Sequence, residues 1–283
     1  TQSLKPLPPL YISSVDSGNL AGHLLILRQG LLALPDGPIL GARVFEGISD
    51  TVRVLKDMGG KTASAQIGGL QKLLESAVDS PPATLAAARL SLDRLAASAA
   101  EVATGVHALD ADPGSPAKWW ADALAAQCRA ALTELMFLAP WTSLPASPEG
   151  LQDGMPDIDE IPTLRQVASL EAGLPQDSEG RPNPGGTSES PWARKRQLMM
   201  EAGRRAGARI KSIGGLARQI DELARMEYGF LYDESRHLLA IGYNVDERRR
   251  DPSYYDLLAS EARFCSFVAI AQGQLPQESW FAL

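Results

Sequence analysis

The stretch SYYDLLASEARFCSF, residues 253–267, places a carboxylate where spacing predicts a core side chain. On a helical wheel at about 100° per residue, Leu257, Leu258, Phe264, Cys265 and Val268 fall on one side. Tyr254 joins that side one turn earlier, and Glu261 sits in the middle of it. Arg263 points nearly the opposite way, so it cannot neutralise Glu261 from within the helix. An isolated buried carboxylate is costly and favours its protonated form. A carboxyl group that keeps its proton near neutral pH can serve as a general acid. Two readings stay open. Either an Arg or Tyr from another helix satisfies Glu261, or this face lines a cleft. In the cleft reading, Tyr254, Tyr255, Asp256 and Ser260 suit contacts with a sugar, through stacking faces and hydroxyl-binding polar groups.

A second constellation lies near the N-terminus. In YISSVDSGNLAGHLL, the residues Ser14, Asp16, Ser17 and Asn19 crowd one predicted helix start. One of them suffices as a cap, so the rest form either an elaborate cap or a polar rim. His23 lies beside Leu20, Leu24 and Leu27, where a satisfied core histidine is the simpler reading. Other chemistries lack support. Histidines 23, 107 and 237 have no metal-ligand spacing. IGGLQK and GGLARQ lack phosphate-loop spacing, and there is no G-x-S-x-G elbow. No metal and no cofactor is predicted.

The elements that must position these residues are mostly helices. Ser17 or Asp16 is expected to cap a helix from Gly18, with Leu20, Leu24, Leu27 and Leu31 as its apolar stripe. Further helices are predicted over 42–58, ended by Gly59-Gly60, and over 63–77. Ser80-Pro81-Pro82 is expected to open an alanine-rich helix to Val106. Ser115-Pro116 opens the next, which Pro140 ends. A short helix is expected over 161–172 and a long one over 191–228. FLYDESRHLLAIGYNV predicts two short strands with a turn at Asp233-Glu234-Ser235. Asp251-Pro252 is expected to cap the last helix. The class is all-α, built of antiparallel helix pairs with a small β-hairpin. Three blocks are expected: residues 1–141, an acidic Pro/Gly-rich loop over 142–191, and 192–283.

The net charge is −7, which argues against a general nucleic-acid binder. The basic stretch 194–225 reads as a solvated helix face, with an anion-attracting rim as the alternative. Cys128 and Cys265 lie in apolar helical runs and read as buried free thiols. No apolar run reaches the roughly 20 residues needed to span a bilayer.

The segments YISSVDSGNLAGHL, WWADALAAQCRAALTELMFLAPW and FLYDESRHLLAIGYNVDERRRDPSYYDLLASEARFCSFVAIAQGQLPQESWF resemble the middle region of cyclic β-1,2-glucan synthases. These are large enzymes of the bacterial inner membrane. The resemblance is dense at both ends of the chain and weak across the acidic loop. It implies part of an (α/α)6 toroid, cytoplasmic and soluble, that cyclises linear β-1,2-glucan by retaining transglycosylation. By its place in DLLASEAR, it implies that Glu261 is the acid/base. It also implies that Tyr254, Tyr255, Asp256 and Arg263 are pocket or supporting residues. The nucleophile is expected beyond Leu283, so the isolated chain is expected to be inactive. Expected partners are β-1,2-glucan and the rest of the parent polypeptide, with self-association of the truncated chain as a further expectation. A β-1,2-glucan hydrolase of the same fold and a non-catalytic glucan-binding helical module are the alternatives.

Overall fold

The computed structural model describes residues 5–144, 159–173, 191–256 and 260–282. Leu257, Leu258 and most of the acidic Pro/Gly-rich stretch lie outside the described residues. The chain is predominantly helical with small antiparallel sheets, as expected. It divides into two compact units: Leu34–Ile210, and Thr1–Ala33 with Lys211–Leu283.

In the Leu34–Ile210 unit, α2 (Arg43–Asp79), α3 (Leu85–Leu109) and α4 (Pro116–Leu138) pack on one another. The expected break at Gly59-Gly60 is corrected: α2 runs through it as one helix of 37 residues. Each glycine costs a helix about 1 kcal/mol. Buried Leu55 before the pair and Ile67, Leu70 and Leu74 after it hold both halves in the core, and tertiary packing outweighs propensity. The expected start of α3 also moves. Thr84 is its cap, accepting a bond from the Ala87 N–H at 3.1 Å, so Pro81 and Pro82 precede the helix. Ser115 caps α4 with Pro116 in the first turn, as predicted. Alanines at 88, 99 and 121, each fully buried, let α3 and α4 approach closely. α5 (Leu164–Gly173) is tied by a two-pronged Arg165–Asp36 pair, at 2.7 and 3.1 Å.

α6 (Pro191–Ala224) ends before the predicted Tyr228. Part of its basic charge is paired: Arg205 bonds Glu201, Arg209 bonds Glu134, and both guanidinium groups lie over Phe137.

The other unit contains β1 (Tyr11–Ser13), α1 (Ser14–Ala33), β2 (Tyr232–Asp233), β3 (Leu238–Leu239), β4 (Gly242–Asn244), β5 (Arg249–Arg250), α7 (Ser260–Ala271) and α8 (Ser279–Ala282). The expected β2–β3 hairpin is present. A second hairpin, β4–β5, and the pairing of β1 on β4 extend the expected single hairpin. The start of α1 is corrected from Gly18 to Ser14. Ser13 Oγ accepts from the Asp16 N–H at 3.3 Å, so Asp16, Ser17 and Asn19 lie inside the helix. Buried Ser14 anchors this end, its N–H and hydroxyl both donating to the Ile241 carbonyl, at 3.0 and 3.1 Å.

The buried stripe of α1 is also not the one expected. Leu20 and Leu27 are 55% and 51% exposed, while Ser14, Gly18, Ala21 and Gly22 are buried. These small residues let α7 approach α1. A methyl group added at Gly18 would fall on Cys265, with the Cys265 Cα 2.6 Å away; one added at Gly22 would meet the Phe264 ring tip. Gly18→Ala should therefore destabilise the chain by about 1–3 kcal/mol, the usual cost of overpacking. Gly22→Ala should cost less, because an aromatic side chain yields more readily than backbone. Urea denaturation of the two variants checks this order. Burial pushes the Cys128 thiol up to about 11 and the Cys265 thiol up to about 12. The thiolate is the reactive form, so both cysteines should resist a thiol-specific reagent at pH 8 until the chain is unfolded. Fast labelling of the native protein would contradict this packing.

Candidate functional site

Every predicted site residue lies in the unit that contains α1 and α7. α7 begins at Ser260, not at Asp251. That shift puts Glu261 in the first turn of the helix. The buried side is Ala262, Cys265, Ser266, Val268 and Ala269, and Glu261 is exposed in the first turn. The expectation of a buried carboxylate on an apolar stripe is corrected. A wheel drawn through 254–268 assumed one continuous helix, whereas residues 251–256 are not helical. The first turn has unpaired N–H groups and is a favourable place for a negative side chain. Ser260 Oγ donates to Glu261 Oε2 at 3.3 Å.

Tyr254 is not one turn earlier on that helix. Its backbone bridges Ala240, and its hydroxyl donates to Asp233 Oδ2 at 2.5 Å. The Arg236 guanidinium lies 4.9 Å from its ring centroid. Asp233 is the hub here, and residue spacing gave no sign of its long-range role. Ser235 donates to its Oδ1 through hydroxyl and amide, at 2.7 and 3.0 Å. Arg250 reaches its Oδ2 at 3.3 Å and also bonds the Tyr232 carbonyl. The bond from Tyr254, then that from Ser235, hold the Asp233 carboxyl well below the usual carboxylate range. The same bond raises the Tyr254 hydroxyl. The DES sequence does signal a turn, since an Asp side chain bonds amides two and three residues on. Nothing local signals Arg250 or Tyr254 as its partners.

The other candidates separate. Tyr255 lies near enough to Tyr11 to act on it electrostatically, and the Tyr11 hydroxyl donates to Asp251 Oδ2 at 3.3 Å. Asp256 is exposed. Arg263 lies over Trp280, 4.7 Å from its ring centroid. Asp16 is exposed on α1, and the Asn19 carbonyl is 2.7 Å from His23 Nδ1. His23 is exposed, which corrects its reading as a core histidine. The structure thus brings Ser260 to Glu261, but it turns Tyr254 to Asp233 and Arg263 to Trp280. Among the described residues, no group of three His, Cys, Asp or Glu is placed to hold a metal. Among them, no helix is long and apolar enough to cross a membrane.

No family model matches the chain. Over 297 aligned residues it is 27% identical to the cyclic beta-(1,2)-glucan synthase NdvB of Rhizobium meliloti (strain 1021). The chain is a distant relative of that synthase. The alignment covers the whole of this chain and 8% of NdvB.

The Asp233 hub predicts a pH dependence. A carboxyl group depressed in the folded state stabilises the fold above its ordinary pKa, near 4, and loses that contribution as pH falls below it. Tyr254→Phe should therefore be less stable than the parent at pH 7, and the gap should close only as pH falls through the depressed range in which folded-state Asp233 takes up its proton, well below about 4. Thermal melts of both proteins from pH 7 to below pH 2 measure it. A gap that is constant with pH would show that the hub contributes nothing through its charge.

Proposed function

We propose that this chain is a region of a larger enzyme of cyclic β-1,2-glucan synthesis, and that Glu261 is its acid/base. The observation that carries this reading is the end-to-end similarity to a cyclic beta-(1,2)-glucan synthase. In this reading the helices belong to an (α/α)6 toroid, and the parent polypeptide sits at a bacterial inner membrane. Linear β-1,2-glucan is the substrate.

The chemistry is a retaining transfer. Glu261 protonates the oxygen of the bond being cut while a second carboxylate forms a glycosyl-enzyme. Glu261 then removes the proton from the chain's own incoming hydroxyl, which closes the ring. Such a pair of carboxylates stands about 5 Å apart. The exposed first-turn position of Glu261 leaves it open to a glycosidic oxygen, and bound substrate would withdraw water from it. Ser260, Tyr255, Asp256, Asp16 and Asn19 are proposed sugar contacts. Tyr254 takes a supporting role, since its hydroxyl and ring are engaged by Asp233 and Arg236.

Glu261→Gln in the polypeptide that carries this chain should lower cyclic product by about a hundredfold or more, the usual weight of a general acid/base, and leave chain elongation intact. Chromatography of the products checks this. Cyclic glucan at the parental level would remove Glu261 from the mechanism. Shorter linear products from the unmodified protein would instead identify a hydrolase.

A further inference from the structure

α7 carries a second chemistry beyond Glu261. Phe267 faces away from the buried side and is 57% exposed, and Phe281 on α8 is 77% exposed. Trp280 is half-buried, with its ring centroid 6.3 Å from that of Phe267 at an interplanar angle of 67°. The Arg263 guanidinium lies 4.7 Å from the Trp280 centroid. The group is held from below. Leu275 and Ser279 are buried, and Ser279 Oγ donates to the Tyr232 hydroxyl at 3.3 Å. The Trp280 and Phe281 amides donate to the Gln277 and Glu278 carbonyls, each at 3.0 Å. Exposed aromatic side chains on a fixed frame call for an occupant.

The chemistry of the patch selects among occupants. An aromatic face carries negative charge density, which suits the C–H face of a pyranose ring. Arg263 and Ser260, on the Phe267 side of the helix, supply donors and acceptors for the hydroxyl groups along that chain. The exposed leucines of α1 offer aliphatic surface of another kind. Phe267 follows Glu261 by six residues, about 9 Å along the helix axis and about 120° around it, so a glucan chain of several residues that curves round the helix would meet both.

We propose that Phe267, Trp280 and Phe281, with Arg263, form a stacking subsite for a neutral β-linked glucan. The proposal rests on the glucan reading above and adds where the chain is gripped. Isothermal titration of the 283-residue chain with linear β-1,2-glucan tests it. Saturable binding is expected, and Trp280→Ala and Phe281→Ala should each weaken it roughly three- to tenfold, as loss of one aromatic contact does. Phe281 is exposed enough that its variant will fold even if Trp280→Ala does not. Unchanged affinity in folded Phe281→Ala and Phe267→Ala would overturn the subsite while leaving the glucan reading intact. Absence of any binding by the unsubstituted chain would overturn the subsite. A concentration-dependent dimer that Phe281→Ala abolishes, with glucan affinity unchanged, would assign the patch to self-association and overturn the subsite.

Discussion

The close contact of α1 with α7 is the constraint on which the candidate site depends. Two glycines four residues apart remove the side chains that would separate the helices. Cys265 then rests against Gly18, and the Phe264 ring against Gly22. This contact sets the rotation of α7, because Cys265 must face inward. Once it does, Ala262, Val268 and Ala269 follow it into the core and Phe267 is turned to solvent, while Glu261, on the same side as Cys265, is exposed because it stands in the first turn. The exposure of the proposed acid/base is thus a consequence of where its helix begins.

The approach to α7 is held separately. Asp233 gathers Ser235, Tyr254 and Arg250, and these come from a turn, an extended segment and a strand. A charge-assisted bond is stronger than a neutral one, and this hub has several. It makes Tyr254 a strut. The tyrosine that spacing offered as a sugar contact has its hydroxyl committed to structure, while aromatic surface elsewhere, at Phe267 and Phe281, is left open.

Much of the helical architecture was legible because it depends on local chemistry. Ser115-Pro116 and Pro140 bound α4 as turn and cap preferences require. Two errors arose where longer-range packing decides. The glycine pair at 59–60 reads as a stop, yet the helix continues because its flanking leucines are buried on both sides. The leucines of α1 read as a core stripe, yet the glycines are the contact face. A periodic leucine pattern identifies a helix but cannot say which face meets a neighbour when close approach demands small residues.

From its residues alone this chain is a helical protein with a small β-hairpin and no basic surplus. Its motifs resemble those of cyclic β-1,2-glucan synthases, and its full length aligns with one at low identity. Those properties depend on local preference, composition and residue order, which a linear string contains. Tertiary structure alone decided that α7 starts at Ser260, that Glu261 faces solvent, and that Asp233 holds Tyr254. The physical reason is that a side chain's surroundings come from residues tens to hundreds of positions away. Gly18 and Cys265 illustrate it, far apart in sequence and in contact in the fold.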